Sequence, residues 1–162
     1  MENLERICYH TDRTQCYTYF RITGNFDPDI ISDMLNLKPE KAWKIGDKRQ
    51  DGKAFDFASW RFGTCDEYDV LVENQMQKTI APLLEKINVL QKIKQDFDVT
   101  FTLTVVPSVR FDEPAPCLAP SLEVMRFCCD TDTEMDIDLY VSAPDAFEDG
   151  VDFTGCGSPT DR

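Results

Sequence analysis

The chain has 162 residues, enough for one domain with a substantial core, and its 42% hydrophobic and 11% aromatic content argue against disorder throughout. Its 30 acidic and 17 basic side chains leave a net charge of −13, which repels phosphate backbones and anionic lipid and so argues against nucleic acid or a membrane as partner. The acidity is local: residues 111–162 hold 13 acids and two Arg, whereas only 38–53 leans basic.

The first element is a strand, Cys16 to Thr23, rich in β-branched and aromatic residues and ended by Gly24-Asn25. A helix follows. Asp27 is its N-cap, Pro28 its first residue, and Ile30, Ile31, Met34, Leu35 and Leu37 its apolar stripe. Pro39 stops it. The basic connector 40–53 contains a short strand or turn at 43–46 and a turn at Asp51-Gly52. Residues 54–62 read as the next long strand and can pair with the short one as a hairpin.

Helical spacing then runs through 69–96, and Pro82 demands a kink or two consecutive helices. Val99 to Val106 alternates Val99, Phe101, Leu103 and Val105 with Thr100, Thr102 and Thr104, the pattern of a strand with one wet face. A Pro-rich connector spans 107–120. Ser121 caps a short helix over 122–129, and a last strand is expected over 135–141, burying Met135, Ile137, Leu139 and Val141. The expected fold is α+β: a ferredoxin-like βαββαβ core extended by a further helix and strand, with helices on one face of a mostly antiparallel sheet. Residues 1–142 form the single domain, and 143–162 an acidic, weakly ordered tail.

Candidate chemistry is sparse. His10 is the only histidine and sits in a polar stretch where a nucleophile pair is hard to fix. Cys128 and Cys129 are adjacent, so on a helix they point in different directions. The acids from Asp130 to Asp138 lack the Gly and the bidentate Glu of a calcium loop. No catalytic, cofactor-binding or metal-ligating residue is assigned, and no cofactor is expected. Seven cysteines without CxxC, no secretory signal in residues 1–10 and no apolar stretch near the ~20 residues of a membrane span fit a cytoplasmic protein with free thiols.

Alternation also assigns the face that the helices leave open. It carries Tyr17, Tyr19 and Arg21 from the first strand, and Asp136, Asp138 and Tyr140 from the last. Tyr and Arg are interface anchors, so this is a candidate docking surface for a protein or for a second copy as a homodimer. The same pattern also describes an ordinary solvated sheet face.

Residues 19–24, the Asp27-Pro28 helix start and the segment from Leu37 through Pro39, Ala42, Trp43, Gly46 and Asp47 carry a further signal. Together with Trp60 they resemble the bacterial domain of unknown function 4279 family, over roughly residues 16–142. The resemblance implies a small cytoplasmic protein of unassigned activity and supplies no catalytic residues. Related small acidic proteins are often immunity partners that neutralise toxins. Two readings therefore stand. One is a non-enzymatic, immunity-type domain meeting a basic protein partner. The other is a small-molecule-binding domain or enzyme with a pocket around Trp43, Asp47 and Trp60.

Overall fold

The computed structural model describes residues 13–65, 71–110 and 112–142. His10 and the expected acidic tail lie outside the described residues. The elements in order are β1 (Gln15–Gly24), α1 (Pro28–Leu35), β2 (Lys41–Trp43), β3 (Ala58–Cys65), α2 (Val72–Leu84), α3 (Ile87–Asp96), β4 (Val99–Arg110), α4 (Leu122–Thr131), β5 (Thr133–Ile137) and β6 (Tyr140–Ser142). They form one open sheet in the order β2-β3-β1-β4-β5, with β6 also on β4. The β2–β3, β3–β1 and β1–β4 pairings are antiparallel, and β5 and β6 join β4 in parallel. The chain is thus α+β, and β2-β3-β1-β4 is the strand order of the βαββαβ arrangement.

The central strand β1 explains the rest. Its burial alternates along the strand. Phe20 and Ile22 are fully buried and face Phe101, Leu103 and Val105 of β4 in one hydrophobic core. All four helices supply side chains to that same core, among them Leu35, Met76, Leu90 and Phe127, so they cover one face of the sheet. Phe20 packs against Phe101 and Phe127 with ring centroids 5.6 and 6.0 Å apart. Each such ring contributes about 1.5–3 kcal/mol of burial. One polar fastening crosses the layer. The buried Gln75 of α2 donates through Nε2 to the Cys16 carbonyl at 3.0 Å, and the Thr18 and Thr79 hydroxyls bond each other.

Local chemistry sets the element ends. Asp27 caps α1 by accepting from Asp29 N at 3.0 Å, and Pro28 opens the helix. Ser121 caps α4 through Val124 N. The α1 helix stops at Leu35 rather than Leu37, because Asn36 adopts the left-handed conformation, φ 49°, and turns the chain. The helical stretch is two helices, as Pro82 required. The break falls at Glu85-Lys86, one turn beyond the proline.

Three expectations are corrected. The strand read at 54–62 begins only at Ala58, and its short partner is Lys41–Trp43. Residues 44–57 form a folded loop in which Phe55 packs on Trp43, centroids 4.5 Å apart. The β4 strand runs past Val106 to Arg110, and Pro107 is tolerated in the gap where β4 exchanges β5 for β6 as neighbour. The last strand is split into β5 and β6. Ile137, Leu139 and Val141 are exposed rather than buried, at 44%, 54% and 63%, on the strands that end the sheet on the far side of β4.

Candidate functional site: the open face of the sheet

Strand register places the outward side chains in rows. One row crosses five strands as Lys41, Arg61, Arg21, Thr102 and Glu134. Its neighbours are Trp43, Ser59, Thr23 and Thr100 on one side, and Tyr19, Thr104 and Asp136 on the other. Of these, Ser59 and Thr104 are buried among their neighbours, so Thr104 is not on a wet face as its alternation suggested. The face is therefore graded in charge. It is cationic and aromatic over β2, β3 and β1, neutral at the threonines of β4, and acidic at β5.

The cationic half is built by a bulge. Between Thr18 and Phe20 the β1–β3 register shifts, so Gly63 and Thr64 stand against Tyr19. Gly63 takes φ +70°, and a Cβ there would lie 2.8 Å from the Thr79 carbonyl oxygen, so only glycine fits. The bulge brings the Thr64 hydroxyl within 3.1 Å of Arg61 Nε, which donates to it. Arg61 then lies over Tyr19, 3.9 Å from the ring centroid, and Tyr17 and Tyr19 stack beside each other at 6.1 Å. Arg21 lies 5.6 Å from the Phe57 ring and Lys41 5.7 Å from Trp43. These distances are in cation–π range.

The loop after β2 supplies the aromatic wall. Trp43 donates through Nε1 to the Phe57 carbonyl at 3.1 Å. Asp47 accepts from Lys44 N at 2.8 Å and its own carbonyl accepts from Phe55 N at 2.9 Å, so its first task is to hold the loop. An open cleft of about 870 Å³ lies here, lined by Lys41, Trp43, Asp47, Lys48, Arg49 and Phe55 among others. A smaller hollow of about 320 Å³ lies beside Arg21, Thr23, Phe57, Asp98 and Thr100.

The sequence-predicted residues are thus divided. Tyr17, Tyr19 and Arg21 share the cationic half with Lys41 and Arg61, which sequence reasoning missed. The alternation Ser59-Trp60-Arg61-Phe62 held the signal: if Trp60 faces the core, Arg61 faces out. Asp136 stands on the same face beyond β4, two strand spacings, about 10 Å, from Tyr19. Tyr140 is in register with Ser108 and its hydroxyl donates to Asp138 at 2.9 Å, so these two extend the acidic side. Trp43 and Asp47 line one cleft. Trp60 does not join them: it is fully buried on the helix side and donates through Nε1 to Ser32 Oγ at 3.0 Å.

The acidic side ends at an edge. Glu134 and Asp136 face the open side, whereas Ile137 and Val141 pair with Val105 and Val109 on the helix side. No described strand covers the outer side of β5 or β6.

Neither Cys16 nor Cys128 is an activated nucleophile. Burial pushes Cys16 and Cys128 up to about 11, so both stay protonated at neutral pH. Cys16, Cys65, Cys117, Cys128 and Cys129 are all free. Among the described residues no cluster of His, Cys, Asp and Glu could hold a metal ion, and no helix is long and apolar enough to cross a membrane.

No curated protein and no solved structure matches the chain. The family model described as Domain of unknown function (DUF4279) matches residues 14–142, from the start of β1 to the end of β6. The chain therefore belongs to the DUF4279 family.

Proposed function

We propose that the chain is a non-enzymatic protein-binding domain that takes a basic partner along its β5–β6 edge. The observation that carries this reading is the outer edge of β5, which no described strand covers. There, exposed carboxylates of Glu134 and Asp136 line one face and the exposed Ile137 and Val141 the other. An uncapped edge offers free backbone donors and acceptors to an added strand. A strand added there meets acids on one side and apolar side chains on the other. Its matching sequence alternates basic with apolar residues. The net −11 of residues 111–162 steers such a partner in.

Neutralising a basic toxin, as an immunity protein does, is the biological role this surface fits. The free thiols of the described cysteines fit a reducing, cytoplasmic setting.

The test is a capture experiment from an extract of the source organism. Wild type and a Glu134→Lys, Asp136→Lys variant are compared at low and high salt. The expected result is a basic protein held by the wild type at low salt, released by high salt and lost in the variant. A partner held equally by the variant, or no partner at all, overturns the reading.

A further inference from the structure

We infer that the Lys41–Arg61–Arg21 row is a binding site for a small organic anion, a phosphate or carboxylate carried on a flat ring. This site is separate from the β5–β6 edge and rests on different observations. Three cations stand directly opposite one another across β2, β3 and β1. Like charges in that position repel and weaken a sheet. The chain has acids in surplus, and it pairs Lys44, Arg49, Lys94 and Arg110 with carboxylates. None of Lys41, Arg61 and Arg21 forms an ion pair with a described residue.

The two arginines are also incompletely satisfied. Arg61 commits Nε to Thr64 and its flat face to Tyr19, which fixes the plane of its guanidinium and leaves the two Nη groups for an outside acceptor. Arg21 Nε is buried with no hydrogen-bond partner. A buried donor left unmet is costly, and the same guanidinium has its Nη groups to offer an anion. A fixed, planar guanidinium is suited to bidentate recognition of phosphate or carboxylate.

Shape and charge define the rest of the occupant. Aromatic rings flank the cations on both sides, Tyr17 and Tyr19 on one and Trp43 and Phe57 on the other. A flat ring stacks there. The hollow of about 320 Å³ that Arg21 and Phe57 line is of small-molecule size, and the acidic Asp98, which also lines it, directs the anionic group toward the arginines rather than into the hollow. Length is limited by the row itself. Beyond Arg21 come Thr102 and then Glu134, so an extended polyanion laid across the sheet meets carboxylates. The net charge of −13 opposes it as well.

The experiment is an NMR titration of the arginine Nε–Hε signals in the wild type. Phenyl phosphate, benzoate, inorganic phosphate and a single-stranded oligonucleotide are added in separate arms, each to about 10 mM, a range that covers millimolar affinity. Phenyl phosphate or benzoate should shift the Arg61 and Arg21 signals saturably, and more tightly than inorganic phosphate. The comparison of the two tells phosphate from carboxylate. Calorimetry on Arg61→Gln and Arg21→Gln should show binding weakened about tenfold or more, with Arg126→Gln on α4 unchanged. The inference is overturned if neither arginine signal moves, if Arg126→Gln weakens binding equally, or if the oligonucleotide binds more tightly than both ring compounds.

Discussion

The two tryptophans stand on adjacent strands yet serve opposite faces, and Trp60→Phe separates their roles. Trp60 is fully buried and its Nε1 donates to Ser32 Oγ, which itself donates to the Pro28 carbonyl at 2.8 Å. Phenylalanine removes that bond, worth about 1 kcal/mol, and leaves a small cavity beside Phe62, with which the indole stacks at 5.4 Å. Trp→Ala in a core costs about 3–5 kcal/mol, so the smaller Trp60→Phe change should cost about 2–3 kcal/mol in all. Ser32 keeps its Pro28 partner and adds no further penalty. The melting temperature should fall by about 4–12 °C for a chain of this size. Urea and thermal unfolding followed by circular dichroism measure this. The remaining emission should be that of the half-buried Trp43, red-shifted from the wild type. A loss below about 0.5 kcal/mol, the range of ordinary surface changes, would refute the placement of Trp60 in the core.

Other outcomes follow from single contacts. Gly63→Ala must hold a left-handed φ of +70° while its Cβ presses on the Thr79 carbonyl. It should lose at least about 1 kcal/mol in urea unfolding, more than an Ala substitution at the open Gly46. Asp27 has its carboxyl held below its usual value, first by the hydrogen bond from Lys44 and then by its capping bond from Asp29 N. A depressed folded value means stability that is present above the unfolded value of 3.8 and lost as pH falls through the folded one. NMR titration should place the Asp27 midpoint below 3.8 and move it upward in Lys44→Met. Among the described thiols, the exposed Cys117 and Cys129 should be labelled by a thiol reagent well before Cys16, whose burial raises it to about 11. Mass mapping of labelled peptides checks that order.

The layered core was legible because β1 alternates along its length and β4 does so from Val99 to Leu103, and because Asp27-Pro28 and Ser121 are strong local start signals. What was misread shares one physical cause: alternation reports which residues share a face, and says nothing about whether anything covers it. Ile137, Leu139 and Val141 alternate as a buried strand does, yet they are exposed at the β5–β6 edge of the sheet. Phe55 and Phe57 look like strand residues, but they pack on Trp43 from a loop. The charge average misled similarly. A net of −13 hides a row of three cations whose register only the folded sheet reveals. Pairing Trp43 with Trp60 failed because neighbouring strands can present successive aromatics to opposite sides, here with Ala42 opposite Trp60 and Trp43 opposite Ser59.

The central claim is that the acidic β5–β6 edge is where a protein partner docks. The most direct measurement is site-specific photocrosslinking in the source organism, with the photoreactive side chain at Leu139 in the break between β5 and β6, and at Lys92 on α3 as reference. The account predicts one defined adduct with a basic protein from position 139, none from position 92, and loss of the adduct when Glu134 and Asp136 become Lys. No adduct from position 139, or one indifferent to that charge reversal, would contradict it.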